Sequence, residues 1–219
     1  MIAGVIFDID GTILDSMPIW DKAAEIFLNS RGIEAENGLG KTMFPMSMTN
    51  GSEFLKDRYL LDMDVDAITA GINHTIEGFY YYQVQLKEGV EQFLKEMKQT
   101  GIKMVAATSS DRQIVETALE RLDVMSSFEL IFTCTEIGAG KGKPDIYLSA
   151  AEYMRTPPKD IWVFEDALYA IQTAKNAGFR TVGVFDTSSM VNLDEIKKIS
   201  DTYLKKLDNF NIFLKKASL

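Results

Sequence analysis

Ala3-Gly4-Val5-Ile6-Phe7-Asp8-Ile9-Asp10-Gly11-Thr12 begins as an uncharged, mostly apolar run and turns abruptly acidic. Ala3 to Phe7 shows no polar alternation, which fits a strand buried on both faces, as in a parallel sheet. Residues two apart on an extended chain point the same way, with Cα atoms roughly 6–7 Å apart. Asp8 and Asp10 therefore aim two carboxylates at one point beyond the C-terminal end of a strand, where open α/β sheets bind ligands. Gly11 lets the chain leave the strand sharply and lets backbone amides approach a ligand. Taken alone, an Asp-x-Asp pair is read equally well as an acidic strand end entering a loop, so the rest of the chain decides.

Working outward, apolar runs recur at Ile102–Ala107, Leu130–Thr133, Ile161–Phe164 and Thr181–Phe185. Helical spacing separates them. Val90, Phe93, Leu94 and Met97 fall at i, i+3, i+4 and i+7 before Gly101. Ile114, Val115, Ala118, Leu119 and Leu122 follow the capping residues Ser110 and Asp111, and Ala167, Ala170, Ile171 and Ala174 precede Gly178. Strand and helix in alternation from residue 86 onward predict a parallel α/β sheet with right-handed crossovers. Residues 17–85 break the rhythm. Pro18 suits the first turn of a helix closed by Gly32, Asp64 suits the cap of another, and Val65, Ile68, Ile72, Ile76 and Phe79 form its apolar stripe. The expected organisation is a discontinuous core, 1–16 with 86–219, and a helical insertion, 17–85.

Three further strand ends carry chemistry. Thr108-Ser109-Ser110 closes the second strand and offers hydroxyls that donate to phosphoryl oxygens, although alone such a hydroxyl is more often a helix cap, and Ser110 also reads as only that. Glu165-Asp166 follows the strand Trp162-Val163-Phe164 and precedes an alanine-rich helix. Carboxylates from two strand ends suit Mg²⁺, which keeps several waters and takes one or two protein carboxylates. Lys141 and Lys143 lie in the turn Gly138-Ala139-Gly140-Lys141-Gly142-Lys143-Pro144. Most loop lysines face solvent; one beside several carboxylates and a phosphate is the exception expected here.

With these four stretches in hand, the sequence resembles the haloacid-dehalogenase superfamily, in its phosphatase branch with a small helical cap. The resemblance covers essentially the whole chain. It implies a Rossmann-like sheet of order 3-2-1-4-5, with 17–85 as the cap. It also implies Mg²⁺-dependent hydrolysis of a small phosphorylated metabolite, with Asp8 as covalent nucleophile and Asp10 as acid/base. Gly11, Thr108, Ser109 and Lys141 would bind substrate. Trp20, on the first cap helix, reads either as a core aromatic or as a wall over the substrate. The metal would be held by Asp8, the Asp10 backbone carbonyl, Asp166 and Glu165, the last directly or through water. The family usually carries Lys-Pro-x-Pro where this chain has Lys141-Gly142-Lys143-Pro144. Ungapped alignment on Pro144-Asp145-Ile146-Tyr147 selects Lys141, with Lys143 as the alternative.

Composition bounds the rest. A chain of 219 residues, 46% hydrophobic and 25% charged, is long enough to bury a core without disulfides. One cysteine, Cys134, forms no internal disulfide, and a cytoplasmic location is expected. No segment approaches the ~20 apolar residues of a membrane span. A net charge of −9 argues against nucleic acid as the main partner. The expected assembly is a monomer or weak homodimer. His74 is the only histidine, so a Ser-His or Cys-His nucleophile is not credible. Met43, Phe44, Met46 and Met48 either line the cap opening or only pack. The lysine pairs between 197 and 216 read as solvated surface, and Tyr80-Tyr81-Tyr82 as packing at the return to the core. The rival readings are a phosphomutase of the β-phosphoglucomutase type and a non-catalytic receiver-like module. Such a mutase carries a histidine where Trp20 stands, and a receiver would lack both the cap and the acid two residues after the nucleophile.

Overall fold

The computed structural model describes residues 2–43, 46 and 48–217, with Lys41 as backbone alone. Phe44, one of the four residues weighed for the cap opening, lies outside them. The chain runs β1 (Gly4–Phe7), α1 (Met17–Asn29), α2 (Leu39–Met43), α3 (Met48–Tyr59), α4 (Val65–Tyr82), α5 (Val90–Gln99), β2 (Lys103–Thr108) and α6 (Arg112–Arg121). It continues through β3 (Ile131–Thr133), α7 (Cys134–Ile137), α8 (Asp145–Met154), β4 (Ile161–Glu165), α9 (Leu168–Asn176), β5 (Arg180–Val184), α10 (Leu193–Ile199), β6 (Thr202–Leu204) and α11 (Phe210–Ala217). By its internal contacts it divides into Met1–Asp15 with Gln85–Leu219, and Ser16–Val84.

In the first unit the strands form a Rossmann-like parallel sheet of order β3-β2-β1-β4-β5-β6. The expected 3-2-1-4-5 order is present, with β6 added at the edge beside β5. Both faces are covered, which is why the strands read as unbroken apolar runs. Alternation sorts their side chains: Ile6 and Val163 face an aliphatic layer with Ile146, Ala150 and Met154 of α8 and Ala174 of α9. Phe7 and Phe164 face an aromatic layer, in which Phe93 of α5 and Phe213 of α11 pack on Phe164 with ring centroids 5.8 and 5.0 Å away. The register aligns Phe7 with Ala106 of β2 and Phe164 of β4. The residues that follow β1, complete β2 and complete β4 therefore emerge along one edge of the sheet.

The second unit is helical throughout its described elements. The Asp64 carboxylate accepts from the Ala67 amide at 2.7 Å and caps α4. Ile68, Ile72 and Ile76 are buried on α4, as their spacing predicts; the stripe then continues to Tyr80, fully buried, while Phe79 is only partly so. Gly71 allows α1 and α4 to meet closely, since a Cβ there would lie 2.2 Å from the Phe27 ring. Ser52 and Thr69 join α3 to α4 through a 2.8 Å hydroxyl pair. Met48 and His74 are exposed, and Trp20 on α1 keeps 37% of its surface accessible. Among the described residues no helix is long and apolar enough to cross a membrane.

Candidate active site

Three strand ends and one turn converge at the C-terminal edge of the sheet. Asp8 leaves β1 with its amide still bonded to the Phe164 carbonyl at 2.9 Å. The chain then folds on itself: Gly11, at φ 84°, donates to Leu14, and Ile13 and Leu14 both donate to the Ile9 carbonyl. That left-handed φ is where the glycine is required. Glu165 ends β4 and Asp166 follows it. Asp8, Glu165 and Asp166 each offer one carboxylate oxygen, these three atoms lie within 4.8 Å of one another, and all three residues are buried.

Lys141 reaches this cluster from the turn before α8. Its ammonium donates to Asp8 Oδ1 and, at 2.6 Å, to Glu165 Oε1, and it is 4% exposed. Lys143, in the same turn, is exposed, so of the two lysines it is Lys141 that joins the carboxylate cluster. The Tyr147 hydroxyl donates to Glu165 Oε1 at 3.1 Å, and Ser189 Oγ donates to Asp166 Oδ2 at 3.2 Å. Asp10 is engaged elsewhere: its Oδ2 accepts from Thr108 Oγ1 at 3.3 Å and from Ser110 Oγ at 2.7 Å. The Ser109 hydroxyl instead lies exposed against Cys134 Sγ at 3.5 Å. The structure thus gathers Asp8, Lys141, Glu165 and Asp166, with Asp10 tied to Thr108; Trp20 belongs to the other unit.

The electrostatics follow from burial. Asp8 is held well above the ordinary carboxylate range by loss of water and then by repulsion from Glu165, which Lys141 only partly offsets. Asp166 is pushed up to about 7 by burial, then by Glu165 and Asp186. Burial disfavours the Lys141 ammonium, but Asp8 and Glu165 together outweigh it and keep the group charged. Burial and then Glu165 raise the Tyr147 phenol, so it remains a donor. Three buried carboxyl groups share one ammonium, and Asp8 Oδ2 is buried without a hydrogen-bond partner. An orphaned carboxylate oxygen inside an all-oxygen donor set fits a hard divalent cation such as Mg²⁺.

Several site residues escaped the sequence reading. Ser110 reads from the sequence as a helix cap, yet α6 receives no side-chain cap bond and the hydroxyl turns to Asp10. Tyr147 stands in the quoted Pro144-Asp145-Ile146-Tyr147 stretch, but nothing in its spacing marks it. Lys87, Asp186 and Ser189 carry no motif at all.

A sequence model for haloacid dehalogenase-like hydrolases matches residues 5–184. A phosphorylated carbohydrates phosphatase from Thermotoga maritima is 25% identical over 178 residues, covering 81% of this chain and 82% of that protein. A β-phosphoglucomutase from Bacillus subtilis is 33% identical over 123 residues, covering 56% of this chain and 54% of that one. Among solved structures, a candidate β-phosphoglucomutase from Thermotoga maritima superposes with a TM-score of 0.84 at 23% identity, covering 97% of this chain and 98% of the other.

Proposed function

Because this chain belongs to the haloacid dehalogenase-like hydrolases, we propose that it is a Mg²⁺-dependent phosphatase of small phosphorylated metabolites, sugar phosphates foremost, acting through a phosphoaspartyl intermediate on Asp8. The observation that carries this is the buried Asp8–Glu165–Asp166 cluster, countered by Lys141 and keeping one orphaned Asp8 oxygen. The similarity to a phosphorylated carbohydrates phosphatase supports the substrate class.

Asp8 attacks phosphorus in line, forming an Asp8–phosphorus bond as the bond to the leaving alcohol oxygen breaks. Asp10 protonates that alcohol, then takes a proton from the water that cleaves the acyl phosphate and regenerates Asp8. Two hydroxyl donors on Asp10 Oδ2 orient its carboxyl for both transfers. Lys141 holds Asp8 in place and offers positive charge to the transferring group. Mg²⁺, held by Asp8, Asp166, the Asp10 carbonyl and, directly or through water, Glu165, would offset repulsion between an anionic nucleophile and an anionic substrate.

The test is phosphate release from a panel of phosphorylated sugars and related metabolites, with Mg²⁺ or EDTA, for wild type and Asp8→Asn. Release that requires both the metal and Asp8 supports the proposal. A phosphomutase is the second reading, favoured by the match to a β-phosphoglucomutase. Isomerisation of a sugar phosphate without release of phosphate would establish it instead.

A further inference from the structure

Lys87 is the feature of the sheet unit that the chemistry above leaves unused. It sits on the return from the helical unit, three residues beyond Val84, and its side chain is 18% exposed. Its ammonium donates to the Gly11 carbonyl at 2.5 Å, the Phe185 carbonyl at 2.6 Å and Asp186 Oδ2 at 2.7 Å. An ammonium has three protons, and all three are used. The Lys87 amide also donates to the Ile13 carbonyl at 2.9 Å, and Leu86 bridges Leu14, so the segment is stitched to the loop after β1 at two more points.

Each partner leads to the active site. Gly11 is the residue after Asp10, and fixing its carbonyl fixes the peptide plane that carries the chain away from that carboxylate. Asp186 begins the turn after β5. Its Oδ1 accepts from the Ser188 amide at 2.9 Å and the Ser188 hydroxyl at 2.7 Å. The next residue, Ser189, donates to Asp166 Oδ2. Hydrogen bonds and covalent chain therefore run unbroken from the Asp10–Gly11 loop through Lys87, Asp186 and Ser188–Ser189 to Asp166.

We propose that Lys87 and Asp186 are positioning residues, a strap that fixes the loop after β1 and the turn after β5 so that Asp10 and Asp166 hold their working geometry. For turnover, the inference rests on the phosphatase reading. Phe185 contributes only a backbone carbonyl, so the side chains that form the strap are Lys87 and Asp186.

The experiment compares wild type, Lys87→Met and the double variant Lys87→Met/Asp186→Leu in thermal unfolding, steady-state phosphate release and calorimetric titration with MgCl₂. Lys87→Met leaves Asp186 buried without its cation and lowers Tm. Removing both partners eliminates the orphan charge and restores much of that loss. If the strap only stabilises the fold, kcat returns along with Tm. If it positions the site, kcat stays about tenfold or more below wild type in both variants with KM changed by less than about threefold, and Mg²⁺ binds several-fold more weakly. A double variant with wild-type kcat and wild-type Mg²⁺ affinity overturns the proposal. Weakened Mg²⁺ binding in both variants of a protein that releases no phosphate would uphold the strap and remove the phosphatase reading instead.

Discussion

Asp166→Asn should stabilise the metal-free protein at pH 8 while abolishing most of its response to Mg²⁺. The folded protein raises the Asp166 carboxyl from an ordinary 3.8 to about 7. A carboxyl raised on folding binds its proton more tightly in the native state, so its contribution to stability is full below about pH 4 and is lost as pH climbs through about 7. About three units at 1.36 kcal/mol each set an upper bound of roughly 4 kcal/mol on the penalty at pH 8. Glu165 and Asp186 share that repulsion and relax with it, so about 2 kcal/mol is the expected gain, or about 4–8 °C in Tm for a chain of this size. At pH 5 the advantage falls to about half or less, because wild-type Asp166 is then largely protonated. Mg²⁺ at a hundred times its dissociation constant should stabilise wild type by about 2.7 kcal/mol and the variant far less. The assay is thermal unfolding in EDTA at both pH values, repeated with MgCl₂. An advantage of equal size at pH 5 and pH 8, or an equal Mg²⁺ response in both proteins, would refute the reasoning.

Three other substitutions probe neighbouring parts of the site. Lys141→Met strips Asp8 and Glu165 of their shared cation, and breaking a buried pair from one side should cost about 3–5 kcal/mol in metal-free urea unfolding; an unchanged midpoint and slope would contradict the buried ion pair. Ser110→Ala removes the shorter of the two hydroxyl bonds to Asp10 Oδ2 described above, for an expected drop of about tenfold in kcat with stability within ~1 kcal/mol of wild type. Unaltered kcat would show that this hydroxyl does not orient the acid. Asp10→Asn should slow phosphate release by about 10²–10⁴-fold, and a wild-type rate would take the acid/base role away from it.

The strands that place the site were legible because each is an apolar run followed by a polar residue, the pattern a doubly covered parallel strand must show. β6 was not. It has three residues, its buried Thr202 and Leu204 flank a half-buried Tyr203, and its neighbours are lysines and aspartates. Nothing so short carries a readable period. The nearby lysines Lys197, Lys198, Lys205, Lys206, Lys215 and Lys216 are exposed, as expected, yet Phe210 and Phe213 among them close the aromatic layer. Asp8, Glu165 and Asp166 could be gathered from sequence because each follows or ends a strand. Lys87 could not, since its side-chain partners stand 76 to 99 residues away and only the folded sheet brings them together. Ser110 fits the start of a helix so well that nothing in the sequence marks its bond to Asp10.

The central claim is that phosphoryl transfer passes through Asp8, and chemical trapping tests it most directly. Asp10→Asn protein, in which hydrolysis of the intermediate is slowed, would be mixed with Mg²⁺ and a phosphorylated sugar shown to be turned over by wild type, quenched in acid, reduced with borohydride and mapped by peptide mass. The account predicts reduction of an acyl phosphate at Asp8 and nowhere else, absent when Mg²⁺ is replaced by EDTA. Stoichiometric release of the sugar with no modified peptide, or modification at another carboxylate, would contradict it.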